Sequence, residues 1–97
     1  MLHLVNKSPF SNNALEEAAR FASKGAPILL IEDGVLAARA GTTFEPKLAR
    51  IIADHPVYAL EPDLKARAVG KTAPGVQLVD YAGFVELVEK NKVHSWV

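Results

Sequence analysis

The chain contains no cysteine. Disulfides are impossible, and so is any step that needs a thiolate, the nucleophilic form of that side chain. Long hydrophobic runs are also missing. No segment approaches the ~18 consecutive apolar residues of a membrane span. No charged region followed by a long apolar run opens the chain, so no signal peptide is expected. The expected compartment is the cytoplasm. Charge of one sign is lacking as well: eleven basic residues balance eleven acidic ones. A free-standing nucleic-acid-binding domain normally shows a basic stripe, so direct nucleic-acid contact is not expected. A net charge of zero suits a chain whose surface is largely covered by partners, since isolated soluble domains usually avoid it.

Several site signatures are absent. A dinucleotide site needs a glycine-rich turn after the first strand, so that backbone can approach the pyrophosphate. Here the turn reads Asn6-Lys7-Ser8-Pro9-Phe10-Ser11, without glycine. No phosphate-cradling loop is present, and neither Ser8 nor Ser11 sits in a Gly-x-Ser-x-Gly elbow. The three histidines lie roughly 40–50 positions apart, unlike the short spacings of a zinc site. No metal and no cofactor are expected.

What is present is an alternation of strands and helices in 97 residues, 49% of them hydrophobic. One domain spanning residues 1–97 is expected. Met1 to Asn6 reads as a strand. A helix begins near Asn13, with Asn13 and Glu16 spaced like a capping box, and Leu15, Ala18, Ala19 and Ala22 form its apolar face; Gly25 is expected to end it. Ile28 to Ile31 is a continuous apolar run, suited to a central parallel strand buried on both faces. Asp33 is expected to cap a short helix over 35–40, with Gly34 permitting a tight strand-to-helix turn. Thr42 to Phe44 reads as a brief extended piece. Pro46 opens a helix with Leu48, Ile51 and Ile52 inward, ended by His55 and Pro56. Val57 to Leu60 is a third strand, Asp63 to Val69 a short helix and Val76 to Val79 a fourth strand. Asp80 caps a last helix that buries Phe84, Leu87 and Val88, and Val93 to Val97 forms a final strand. Such alternation predicts an α/β domain with right-handed crossovers and a mainly parallel central sheet with helices on both faces. Ile28, Leu30, Val57, Leu78 and Phe84 should be mostly buried.

Five residues stand out as candidate interface or structural positions: His3, Glu32, Asp33, Gly34 and Trp96. Strand alternation places His3 on the face opposite Leu2 and Leu4, where a polar ring needs a partner. Glu32 and Asp33 are adjacent carboxylates at the carboxyl end of a parallel strand, where ligands bind in open α/β folds. Trp96 suits either an exposed interface anchor or a core position. A self-contained enzyme using Glu32, Asp33 and His3 stays open at this point, as does a small-ligand-binding module of the same architecture.

Five ordered segments carry a resemblance. They are Leu2 to Phe10, Leu30 to Val35, Tyr58 to Arg67 with its "DLxAR" pattern, Val79 to Val85 with its "DYxxFV" pattern, and the closing Ser95-Trp96. Together the chain resembles the DsrH/TusB family of small sulfur-relay subunits, over nearly its whole length. The resemblance implies a small three-layer flavodoxin/Rossmann-like α/β domain in a cytoplasmic heterohexamer with DsrE/TusD-like and DsrF/TusC-like subunits, which exchanges persulfide sulfur with carriers of the TusA and DsrC/TusE types. The persulfide cysteine belongs to the DsrE/TusD-type subunit. The relay serves either 2-thiolation of the transfer-RNA wobble uridine or intracellular sulfur oxidation. Some members carry a cysteine in the first helix, in a Leu-Glu-x-Cys pattern; here Leu15-Glu16-Glu17 leads to Ala18. No catalytic residue therefore carries over, and a non-catalytic subunit is the expectation.

Overall fold

The computed structural model of the chain describes residues 1–96. The final strand predicted over Val93 to Val97 reaches Val97, which lies outside the described residues. The elements are β1 (Leu2–Val5), α1 (Ala14–Phe21), β2 (Ile28–Leu30), a 3-10 helix (Glu32–Ala38), α2 (Glu45–Asp54), β3 (Val57–Leu60), α3 (Glu61–Ala66), β4 (Gln77–Val79), α4 (Tyr81–Lys90) and β5 (Val93–Trp96). The strands form one sheet in the order β4-β3-β2-β1-β5, with every neighbouring pair parallel. The α/β class and the parallel sheet are as the alternating pattern predicts.

Strand register sorts the side chains between two faces. His3, Val5, Ile28, Leu30, Val57, Ala59 and Leu78 share one, and Leu2, Leu4, Leu29, Tyr58, Leu60 and Val79 share the other. The steps from β1 to β2, β3 and β4 all run in one direction. Right-handed crossovers therefore put α1, the 3-10 helix, α2 and α3 on the first face, while the long return from β4 to β5 carries α4 over the second. The main core follows: Val5, Ile28, Leu30, Val57 and Ala59 pack with Leu15, Ala18, Val35, Leu48 and Leu64. Helices do cover both faces, but unequally.

That inequality overturns two burial expectations. Leu78 is 47% exposed. It lies on a three-residue edge strand, and the adjoining six-residue α3 gives only Leu64 to the core. The last helix does not bury Phe84, Leu87 and Val88: each is only half-buried, because α4 has no neighbouring helix on its face and buries none of its residues fully.

Local details differ too. Asn13 occupies the cap position of α1 without a side-chain hydrogen bond; Asn12 Oδ1 accepts instead from the Ala14 N–H, at 2.6 Å. The helix stops at Phe21, and Gly25 lies beyond it in a left-handed turn with φ +88°. Thr42 to Phe44 is a turn into α2 rather than an extended piece, with the Glu45 N–H donating to Thr42 O. Asp80 caps α4 as expected: its Oδ1 accepts from the Gly83 N–H at 2.8 Å.

Candidate functional site

The candidate residues occupy two places. The first is the carboxyl edge of β2 and β3. The Ile31 N–H donates to Val5 O at 3.0 Å, which draws the start of the 3-10 helix against the end of β1. Gly34 sits in that contact. A Cβ built there would overlap the Val5 carbonyl oxygen, so any larger residue must move backbone. Glycine is required here by close approach, not by a positive φ, and this replaces the expected turn-forming reason.

Asp33 does not cap this helix. Ile31 holds the cap position, and Glu32 and Asp33 form the first turn. The Asp33 carboxylate accepts from Arg67 Nε at 2.9 Å instead. Asp63 takes the neighbouring backbone donor: its Oδ2 accepts from the Glu32 N–H at 2.7 Å. That bond holds Glu32 at φ +49°, a left-handed conformation uncommon for a residue with a side chain. Asp63 and Arg67 thus bind the 3-10 helix to α3. Both lie in the Tyr58 to Arg67 segment, spaced four residues apart on one helical turn, and that spacing was the sequence signal for a pair acting together.

The second place is the β1–β5 seam. His3 is paired in register with His94, and Val5 with Trp96. The His3 ring is 5% exposed. Its partner is the Trp96 indole, whose Nε1–H donates to His3 Nδ1 at 3.0 Å. An indole only donates, so Nδ1 must be unprotonated and the neutral ring carries its proton on Nε2. Burial holds the His3 pKa below its ordinary 6.5, helped by the nearby His94, the amino terminus and His55. Trp96 is half-buried against the core, and both alternatives for it hold in part. Phe21 from α1 stands beside it, ring centroids 5.7 Å apart. Phe21 and Met1 join this seam without any signal in their local sequence.

The two places do not merge. His3 faces β5, with its acceptor nitrogen committed to Trp96, whereas the Asp33 carboxylate turns to Arg67 and Glu32 is exposed. The structure does not assemble His3, Glu32 and Asp33 into one acid–base site. His55 ends α2 and meets Ala26 O through Nδ1 at 3.0 Å, the structural role expected of it. Among the described residues no group of three or more His, Asp or Glu side chains could hold a metal, and no helix is long and apolar enough to cross a membrane.

A sequence model of the DsrH-like protein family matches residues 7–94. The chain is 37% identical over 92 residues to Protein TusB of Escherichia coli K12, covering 94% of each. It is 36% identical over 98 residues to Protein TusB of Serratia proteamaculans, covering 99% of this chain and all of that one. Among solved structures, a protein of unknown function from Methanobacterium thermoautotrophicum shares the fold, with a TM-score of 0.71 over 97% of this chain and 96% of the other at 14% identity.

Proposed function

Since the chain belongs to the DsrH family, we propose that it is a non-catalytic subunit of a sulfur-relay complex, passing no sulfur itself. The observation that carries this reading is the missing thiol: in a family of persulfide-relay subunits, this member has no cysteine at any of its 97 positions. A persulfide forms on a thiolate, so the carrier must sit on another chain.

The surface supports a subunit that touches more than one neighbour. Among the described residues both edge strands, β4 and β5, leave one side of their backbone unpaired. Each is flanked by exposed apolar side chains: Leu78, Tyr81 and Val85 near β4, and Met1, Phe21 and Val93 near β5. Open edges with apolar surroundings are hazards in a lone monomer and suit a chain covered on assembly. The partners in this reading are DsrE/TusD-like and DsrF/TusC-like subunits in a cytoplasmic heterohexamer. That assembly serves carriers of the TusA and DsrC/TusE types, for wobble-uridine thiolation or sulfur oxidation. No nucleic acid contacts this chain directly. His3 and Trp96 hold β5 in place, and Glu32, Asp33 and Gly34 shape the carboxyl edge of the sheet.

Co-expression with the two homologous subunits tests the reading. One species with equal stoichiometry should form, with interfaces on the order of 1,200–2,000 Å² each. Loading the complex with persulfide should leave the intact mass of this chain unchanged, and omission of the chain should stop transfer to the downstream carrier. Full transfer without it, or one added sulfur on it, overturns the proposal.

A further inference from the structure

The β1–β5 seam opens into a cleft of about 330 Å³ lined by Met1, His3, Phe21, His94 and Trp96. Its walls are flat and largely apolar. Phe21 and Trp96 stand 5.7 Å apart at 37°, and His94 meets Trp96 edge-on at 4.8 Å. Phe21 is 73% exposed, so the wall it forms lies open to whatever enters.

The polar groups of the cleft share one character. His3 is more than nine-tenths buried, and its Nδ1 is taken by the Trp96 indole. Its remaining nitrogen, Nε2–H, is a donor with no protein hydrogen bond among the described residues, and it is not sealed from solvent. His94 adds a second, exposed imidazole across the seam, 6.0 Å from His3 between ring centroids. Among the described residues no acidic side chain lines the cleft. Beyond Phe21, Glu17 is paired with Arg20 at 3.1 Å. The wanted ligand group is therefore a hydrogen-bond acceptor, and an anionic one gains most from these donors. A metal ion does not fit: it needs a lone pair on His3 Nε2, and the Trp96 bond puts the proton there.

We propose that this cleft binds a small single-ring aromatic carboxylate, its ring against Phe21 and Trp96 and its carboxylate on His3 Nε2–H and His94. The volume, the aromatic walls and the few convergent polar groups are those of a small-molecule site. The inference concerns the chain before assembly, because the subunit reading covers Met1 and Phe21 of this cleft with a partner.

Trp96 is the only tryptophan, so its indole N–H gives one unambiguous NMR signal. Benzoate titrated into the 97-residue chain should shift that signal saturably, with a dissociation constant on the order of 1 mM, as suits so small a ligand. Phenol, with the ring but no carboxylate, and acetate, with the carboxylate but no ring, should each bind about tenfold weaker or less. Phe21→Ala and His94→Ala alter exposed side chains that the fold does not depend on, and each should weaken benzoate by about tenfold. The proposal is overturned if benzoate gives no saturable shift. It is equally overturned if phenol or acetate matches benzoate, or if Phe21→Ala and His94→Ala bind it as the parent does.

Discussion

β2 and β4 are both three-residue strands with two aliphatic side chains or more, in the same parallel sheet, yet they live in different solvents. Every residue of Ile28-Leu29-Leu30 is fully buried; none of Gln77-Leu78-Val79 is. β2 has strands on both sides and helices over both faces. β4 has one strand beside it and thin cover above. Burial is thus set by neighbours and not by side-chain type. The apolar residues left open are concentrated at the sheet's two edges, where a second chain would find them.

The largest effect should separate these two strands. Leu30→Ala leaves a cavity in the core and should lower the unfolding free energy by about 3 kcal/mol. Leu78→Ala removes a side chain that is half in water and should lower it by less than about 1 kcal/mol. Denaturant titration of the isolated chain measures both. Equal losses would mean that β4 is not an open edge. Leu78→Asp sharpens the contrast: the chain should fold normally by circular dichroism and yet fail to co-purify with its homologues.

Gly34→Ala comes next, at about 2–3 kcal/mol, because the new methyl overlaps Val5 O and the overlap can be relieved only by shifting backbone. Gly41→Ala is the comparison. That glycine has open space around it but a φ of +81°, so its loss reflects backbone conformation alone, at about 1 kcal/mol. A Gly34 variant as mild as the Gly41 variant would argue against the close approach of the 3-10 helix to β1.

These two glycines show what could be read from the sequence. Periodicity and turn residues located the strands closely: β3 runs over Val57–Leu60 as predicted, and β2 differs by one residue. Such signals are local, and they arise from the chain's own geometry. The reason for Gly34 is a carbonyl on another strand. The exposure of Leu78 depends on what is missing beside it. The His3–Trp96 bond joins opposite ends of the chain. Each of these depends on which elements become neighbours, and no short window carries that. The candidate site was half legible for the same reason. His3 and Trp96 were visible as polar and aromatic residues needing an environment, whereas Phe21 and Met1 gained meaning only from the fold.

Acid should loosen the β5 edge before the β2 interior. Protonated His3 has no lone pair at Nδ1 for the Trp96 indole and brings a positive charge near the amino terminus. Its folded pKa lies below 6.5. The folded state therefore binds fewer protons than the unfolded state once the pH drops under that value. The contribution is complete above pH 6.5 and is lost as pH falls through the folded pKa. The denaturation midpoint should decline on that side, and hydrogen exchange should show β5 amides losing protection while β2 amides keep theirs. A His3 titration midpoint above 6.5 in NMR would reverse the sign and contradict the buried, indole-bonded ring.

The smallest effect distinguishes the two aspartates that follow β2 and β4. Both stand at the start of a helical segment after an apolar strand, and from sequence they look alike. Asp80 accepts from the Gly83 N–H, so Asp80→Ala leaves a helix donor unpaired and should destabilise the chain by about 1 kcal/mol. Asp33 instead meets Arg67 at an exposed ion pair. Asp33→Ala should therefore change stability by about 0.5 kcal/mol or less. The difference should also respond to salt. An exposed pair is screened within about 8 Å at physiological ionic strength, so raising salt should erase the Asp33 effect and spare that of Asp80. A salt-insensitive loss at Asp33 equal to that at Asp80 would restore a capping role to Asp33. The 3-10 helix would then depend on its own first turn, as α4 does, and not on the link that Asp63 and Arg67 make to α3.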